Sequence, residues 1–145
     1  MKIVVDTNIV FSAILNSSSD IGKILINAIP NVKFYSCNFL QEELFLNRQK
    51  LQKLTKLNLG NLEELLSITT QNIHFINEKL LPSNTWNEAV RLTKDFDLKD
   101  APFVALSLHL KATLWSGDKK LRLGVLKKGF ENTIDTKSLL EKLSH

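Results

Sequence analysis

Three aspartates of this chain lie where an α/β protein builds a ligand site. Asp6 ends the apolar run at 2–6, and Asp118 follows the apolar run at 112–116. Both runs are typical of strands, and ligands of open α/β sheets bind beyond the carboxyl ends of the strands. Asp100 opens an apolar helix directly before the second run, so its side chain can face the same crevice. Carboxylates gathered there repel one another, and a divalent cation relieves that repulsion.

Glu43 is the fourth candidate, and its place on a helix selects it. The stretch from Asn38 to about Leu57 predicts one long helix with Asn38 as its N-cap. On a wheel of about 100° per residue, Glu43 falls in the middle of the apolar arc and Glu42 on its flank. A carboxylate in a core-facing arc is costly to desolvate unless it is paired or bound to a metal ion. The arc consists of Leu40, Leu44, Leu46, Leu51 and Leu54.

Each acid also has an ordinary structural explanation. The three aspartates precede helices, where aspartate is a favoured N-cap, and Glu43 could extend its carboxylate to the helix edge. Their joint placement favours one shared site, and ligation by oxygen alone favours Mg²⁺ or Mn²⁺. Asp97 stays open as a further ligand, an indirect support or a solvated side chain, and the role of Glu42 is also open.

The elements that position these acids alternate between strands and helices. Strands are predicted at 2–6, 33–37, 73–76, 112–116 and 133–135, and helices at 8–15, 20–29, 38–57, 61–70, 83–95, 100–111, 118–128 and 136–144. This order predicts an α/β fold, with a mostly parallel sheet of four or five strands between helices on both faces. No repeat or linker divides the chain, so we expect a single domain over residues 1–145.

Composition narrows the setting in which the chain acts. One cysteine, Cys37, excludes an internal disulfide and a cysteine-based zinc site, and a reducing cytoplasmic compartment is the simple expectation. The apolar run at the N-terminus is too short for a signal peptide. No segment approaches the roughly 18 apolar residues of a membrane span, so no membrane contact is expected.

The net charge of +4 suits an anionic partner. If the four acids are ionised together, their four negative charges leave +8 on the rest of the chain. An acidic pocket in a basic shell fits phosphodiester chemistry, because the shell attracts phosphates and the pocket attracts the cation. Lys119, Lys120 and Arg122 follow Asp118 closely and are candidates for RNA binding, although a solvated helix face explains them as well.

At this point the sequence resembles a PIN-domain ribonuclease, close to the VapC-type toxins of type II toxin–antitoxin systems. The matching segments are VVDTNIVFSAI at 4–14, EEL at 42–44 and KDAPFVALSLHLKATLWSGDKKL at 99–121. Together with the closing strand and helix they cover nearly the whole chain. The resemblance implies a PIN-like three-layer α/β/α sandwich and an RNA endonuclease that leaves 5′-phosphate and 3′-hydroxyl ends.

The resemblance also assigns roles to residues. It implies Asp6, Glu43, Asp100 and Asp118 as the acidic quartet, with polar support from Thr7 or Asn8 and from Ser116, where the family often has threonine. We expect Asp6 and Asp118 to be the most direct metal ligands and Asp100 to serve a second metal position. Glu43 would hold or deprotonate the attacking water. His74, His109 and His145 share no ligand spacing and are expected to be structural or solvated.

Rival interpretations remain at this stage. A haloacid-dehalogenase-like phosphatase needs a second aspartate where Asn8 stands, and a receiver domain needs an acidic pair near residue 6 that is not evident. The stronger alternative is a non-catalytic PIN-like module that binds RNA or protein, and metal binding would discriminate. An antitoxin and a second copy are possible partners. A seam or groove for them could come from apolar residues of the first two helices, which core packing explains equally well: Ile9, Val10, Ile14, Ile24 and Leu25.

Overall fold

The computed structural model describes residues 1–144, so His145 lies outside the described residues. The strands are β1 (Lys2–Val5), β2 (Lys33–Cys37), β3 (Ile73–Ile76), β4 (Thr113–Trp115) and β5 (Thr133–Ile134). The α-helices are α1 (Thr7–Leu15), α2 (Asp20–Ile26), α3 (Asn38–Leu46), α4 (Arg48–Thr55), α5 (Leu59–Thr70), α6 (Ser83–Thr93), α7 (Ala101–Leu110), α8 (Lys119–Lys127) and α9 (Thr136–Leu143). Single turns of 3₁₀ helix lie at Glu78–Leu80 and Leu98–Asp100.

The five strands form one parallel sheet in the order β3-β2-β1-β4-β5. β1 lies at the centre, where Ile3 pairs with Phe34 of β2 on one side and with Thr113 of β4 on the other. The chain therefore leaves β1 in one direction and returns on the opposite side. This reversal opens a crevice beyond the carboxyl ends of β1 and β4, where α/β proteins bind ligands.

Helices cover both faces of the sheet. One layer contains α1, α2, α4 and α5, which contact one another, with α9 against α2. The opposite layer contains α7, which crosses β1, β2 and β4, and α6, which packs on α7 and α8. Right-handed crossovers between parallel strands produce this division, because the direction of travel along the sheet reverses after β3. The predicted α/β/α sandwich with a mostly parallel sheet is confirmed, and all of its strand pairs are parallel.

The long helix predicted from Asn38 to Leu57 is wrong, because it breaks at Asn47. The Asn47 side chain donates to the Glu43 carbonyl at 2.8 Å, a local bond that competes with continuation of the helix. Asn38 is not the cap either, since α3 begins after Cys37 without a side-chain cap bond. The break turns two members of the apolar arc outward, and Leu46 and Leu54 are 77% and 54% exposed.

The apolar residues of the first two helices belong to the core. Ile9, Val10, Ile14, Ile24 and Leu25 are all at most 4% exposed, so core packing accounts for them. Within residues 1–144, no single helix is long and apolar enough to cross a membrane; α1 and α2 pass that test as a pair only, with an angle of 105° between them.

Candidate active site

Asp6 is positioned by the junction between β1 and α1. Its backbone is extended, and its Oδ1 accepts a hydrogen bond from the Ile9 amide at 3.0 Å, which caps α1. The Ser116 hydroxyl, directly after β4, lies near this carboxylate and lowers its pKa. The side chain is only 5% exposed. The cap therefore fixes a buried carboxylate at the carboxyl edge of the central strand.

Glu43 reaches the same place from α3. Its Oε1 accepts a hydrogen bond of 2.6 Å from the hydroxyl of Thr7, the first residue of α1. Thr7 is buried and Glu43 is half-buried, so the bond is partly shielded from water. A residue 36 positions further along the chain is thereby held beside Asp6.

Asp100 lies at the start of α7, but its carboxylate is not used as a cap. The residue has helical backbone angles and makes no side-chain cap bond. The preceding turn is held instead by Asp97, whose Oδ1 accepts from the Lys99 amide at 2.9 Å. The Asp100 carboxylate is therefore left available to the crevice, unlike that of an ordinary N-cap.

Asp118 caps α8, with its Oδ1 accepting from the Leu121 amide at 3.1 Å. The buried Ser116 prepares this turn, because its hydroxyl accepts from the Asp118 amide at 3.1 Å. The Ser116 carbonyl in turn accepts from Arg122 at 2.6 Å. Asp118 itself is exposed.

A pocket of about 90 Å³ joins the contributions of β1, α3 and the turn before α7. Its lining consists of Asp6, Thr7, Asn8, Glu43, Asp97, Lys99, Asp100 and Phe103. The ion pairs found within residues 1–144 use other acids, namely Glu88, Asp95 and Asp135. The pocket therefore gathers four carboxylates that form no ion pair with a lysine or arginine in the described part of the chain.

Burial and mutual repulsion change the acidity of this cluster. Burial raises the pKa of Asp6 to about 6, against the lowering effect of its hydrogen bonds, and the charges of Asp118 and Glu43 raise it further. Burial also raises the pKa of Asp100 to about 7, with Asp6, Asp97, Asp118 and Glu43 adding to the shift. Asp118 acts on both groups although it does not line the pocket.

The residues fit a hard divalent cation in their chemistry, since they offer carboxylate oxygens that form no ion pair within residues 1–144. Their spacing does not yet close around one point. Among the described residues, no three histidine, cysteine or acidic side chains stand close enough together to hold one ion. Binding of an ion would therefore require side-chain movement at the crevice.

Residues 4–138 match the PIN domain family. The matched range includes the edge strands β3 and β5 and all four acids. The chain belongs to the PIN domain family. The resemblance seen in the sequence is thereby confirmed.

Two solved structures share the PIN fold of this chain. A chain of VapBC2 from Rickettsia felis, crystallised with a DNA fragment from its promoter, has a TM-score of 0.68 at 19% identity, over 93% of this chain and 97% of that one. A chain of VapBC-1 from nontypeable Haemophilus influenzae has a TM-score of 0.69 at 15% identity, over 94% and 99%. At these identities the likeness shows the fold. No curated protein sequence matches the chain.

In this PIN domain, the predicted residues divide into three groups. Asp6, Thr7, Asn8, Glu43, Asp97 and Asp100 line the pocket. Ser116 and Asp118 lie beside it, as described above. Lys119 and Lys120 are exposed on α8, whereas Arg122 is turned toward Ser116 and lies 3.9 Å from Asp135. His74 and His109 are exposed and do not line the pocket.

Sequence reasoning missed two residues of the pocket, Lys99 and Phe103. Phe103 could have been found, because it lies three residues after Asp100 and therefore on the same side of α7. The sequence gives no indication of Lys99, since a lysine in a polar loop is ordinarily expected to be solvent-exposed.

Proposed function

We propose that residues 1–145 act as one PIN domain that cleaves RNA internally with the help of Mg²⁺ or Mn²⁺. One observation carries the proposal: Asp6 is 5% exposed, and within residues 1–144 no cationic side chain pairs with it or its acidic neighbours. Burial of a carboxylate that has no ion-pair partner costs folding free energy. Such destabilised groups are found mainly at functional sites.

Asp6 and Asp118 are the residues that we propose to hold the ion most directly, with Asp100 at a second metal position. When bound, the ion would neutralise charge on the scissile phosphate and lower the pKa of the attacking water. Glu43, oriented by the Thr7 hydroxyl, would accept a proton from that water. The water oxygen forms the new bond to phosphorus, and the bond to the 3′ oxygen breaks as that oxygen takes up a proton. The products carry 5′-phosphate and 3′-hydroxyl ends.

The remaining predicted residues would support this reaction. Asn8 and Asp97 line the pocket, and Ser116 lowers the pKa of Asp6 and orients the Asp118 turn. Lys119 and Lys120 are exposed directly after Asp118 and would contact RNA phosphates. The sequence also predicts Arg122 as an RNA-binding residue. Its hydrogen bond to the Ser116 carbonyl supports a structural role instead, in holding the turn before α8.

We further propose that the chain is the toxin of a toxin–antitoxin pair, acting in a reducing compartment such as the cytoplasm. The structures from Rickettsia felis and Haemophilus influenzae are VapBC proteins, which is the support for a cognate antitoxin here. An exposed apolar pair on α3, Phe45 at 63% and Leu46 at 77%, supports contact with a protein, either an antitoxin or a second copy.

The test is cleavage of a labelled RNA by the purified protein in Mg²⁺ or Mn²⁺, with EDTA as the metal-free arm. We expect cleavage that EDTA abolishes, and loss of at least about 100-fold in rate for Asp6→Asn, as for removal of one charge-stabilising group from an active site. Asp20→Asn, an exposed aspartate on α2, is the matched control. Cleavage by Asp6→Asn at the wild-type rate would refute the assignment.

The toxin role has its own test in cells. Expression of the chain should stop growth of the host, expression of Asp6→Asn should not, and the product of a neighbouring reading frame should restore growth. Growth arrest by both proteins alike would exclude the nuclease as its cause.

One observation favours the alternative of a non-catalytic module that binds RNA or protein. The carboxylates as they lie do not close around one ion within residues 1–144. A titration with Mn²⁺ that is measured by calorimetry distinguishes the nuclease from the non-catalytic module. Binding that is lost in Asp6→Asn supports the nuclease, and no binding by the wild-type protein supports the module.

A further inference from the structure

A groove of about 390 Å³ runs beside the acidic pocket, along the outward face of α8. Its lining includes Phe96, Lys120, Leu123, Gly124, Lys127 and Lys128, together with Asp95. The residues from α8 recur at intervals of three, four, seven and eight positions, which places them on one face of the helix. The opposite face of α8, with Leu121 and Val125, is buried in the core.

The floor of the groove depends on a glycine. The Phe96 ring rests on Gly124 so closely that a Cβ at this position would lie 1.8 Å from the ring. The contact is made by the tip of the ring, and only a residue without a side chain lets the tip approach the helix this closely. Phe96 is half-buried, with the Lys128 ammonium 5.8 Å from the centre of its ring, and Leu123 is exposed. Together they form the aromatic and aliphatic floor of the groove.

The segment that carries Phe96 is tied down at its base. Lys128 donates to Asp95 at 2.6 Å and to the Arg91 carbonyl at 3.0 Å, and Arg91 donates to the Lys128 carbonyl at 3.2 Å. These bonds join the end of α6 to the end of α8, so the groove is formed before any ligand arrives. They also occupy Lys128, whereas within residues 1–144 neither Lys120 nor Lys127 forms an ion pair.

The chain connects the groove to the acidic site at two points. Asp97 and Lys99 follow Phe96 in the chain and line the pocket, and Asp118 precedes Lys120 at the start of α8. From Lys120 to Lys127, α8 rises about 10 Å at 1.5 Å per residue. A strand that runs along α8 from the cleavage site would therefore pass between Lys120 and Lys127 over an apolar floor.

We propose that this groove binds the single-stranded RNA next to the scissile phosphate, with Lys120 and Lys127 contacting phosphates and one base against Phe96. The inference rests on the proposed function and adds the path of the substrate. Basic edges around an aromatic floor are the combination by which proteins hold single strands without reading their sequence. An acidic peptide would use the lysines but would have no need of the aromatic ring.

The experiment measures binding rather than cleavage, so its outcome is separable from that of the proposed function. A labelled 12-nucleotide RNA of mixed sequence is titrated with the Asp6→Asn protein in Mg²⁺ at several salt concentrations, and Kd is read from fluorescence anisotropy. Two lost phosphate contacts reduce the slope of log K against log salt by about 1.4, which corresponds to about 25-fold weaker binding at 0.1 M salt. We expect this change for the Lys120→Ala/Lys127→Ala pair.

The matched control removes the same charge elsewhere. Lys137 and Lys142 are exposed on α9, in the opposite layer, and Lys137→Ala/Lys142→Ala should leave the slope unchanged. Phe96→Leu keeps the apolar floor but loses stacking, and should weaken binding about 5-fold with the slope unchanged. Thermal melting of each variant confirms that it folds.

Three results would overturn the proposal. The first is an unchanged slope in the Lys120→Ala/Lys127→Ala pair, and the second is an equal change in the control pair, which would indicate only a general basic field. The third is binding of a poly-glutamate peptide that depends on Lys120 and Lys127 while RNA binding does not. Failure of the wild-type protein to cleave RNA would leave these binding results intact and would refute the proposed function alone.

Discussion

Asp6→Asn should make the metal-free protein more stable, although it removes the central residue of the proposed site. The folded protein must keep a carboxylate at this 5% exposed position ionised at neutral pH, and burial raises its pKa from 3.8 to about 6. A difference of this size between folded and unfolded states costs about 3 kcal/mol at pH 8. Asparagine avoids that cost. It also preserves the cap on α1, since its side-chain oxygen can accept from the Ile9 amide.

The sign of the pH dependence follows from the direction of the shift. Because the folded pKa lies above the unfolded value, the folded state binds the proton more tightly, and the wild-type protein loses stability as pH rises from about 4 to about 7. The advantage of Asp6→Asn should therefore fall from about 3 kcal/mol at pH 8 to about 0.5 kcal/mol at pH 4. For a chain of this length, the difference at pH 8 corresponds to about 10 °C in Tm.

The assay is thermal melting of both proteins in EDTA at pH 8 and pH 4. Asp135→Asn is the matched control, because Asp135 also caps a helix, with its Oδ1 accepting from the Ser138 amide at 2.8 Å. The hydrogen bonds from Ser138 lower the pKa of Asp135, so this variant should lose stability at pH 8. An Asp6→Asn protein that melts at or below the wild type at pH 8, or whose gain does not depend on pH, would refute the reasoning.

Three further predictions concern the metal, the water-binding residue and the groove. Mn²⁺ at about 100 times its Kd should stabilise the wild-type protein by about 2.7 kcal/mol and should leave the Tm of Asp6→Asn unchanged; equal shifts in both would place the ion elsewhere. Thr7→Val, which removes the 2.6 Å bond to Glu43, should lower kcat about 10-fold with KM unchanged, while Thr7→Ser restores it; an unchanged kcat would remove Thr7 from the mechanism. Gly124→Ala should cost about 1–3 kcal/mol in chemical denaturation, because its Cβ would lie 1.8 Å from the Phe96 ring, and a neutral result would show that the ring moves freely.

The sheet and the acidic edge could be predicted because their signals are short and local. The β-branched run before Asp6 predicts a buried strand, and its residues Ile3, Val4 and Val5 are indeed fully buried between two helical layers. Strands that alternate with helices make a parallel sheet, and a parallel sheet has one carboxyl edge. The position of Asp6 and Asp118 near one crevice follows from those two facts alone.

The break at Asn47 could not be predicted in this way. Apolar residues continue at helical spacing through residues 40–54, as they would in an unbroken helix. An asparagine alone does not predict a break, because its helix propensity is only slightly lower than that of many other residues. Its side chain decides the matter by bonding the Glu43 carbonyl, which is visible only in three dimensions. Glu43 nevertheless lies on the inward side of α3, because Leu40 and Leu44 precede the break and are buried beside it. Its role at the site stays a prediction.

Capping and metal binding are not competing explanations for these aspartates. A carboxylate has two oxygens, and the caps on α1 and α8 each use one, Oδ1 of Asp6 and Oδ1 of Asp118. The cap fixes the orientation of the carboxylate before any ligand binds, and it leaves the second oxygen available as a ligand. Asp100 lacks such a bond, and its pKa is the higher of the two at about 7, against about 6 for Asp6. The Ile9 amide stabilises the charged form of Asp6. Asp100 has no such donor, so a bound cation would relieve the free-energy cost of its charge most directly.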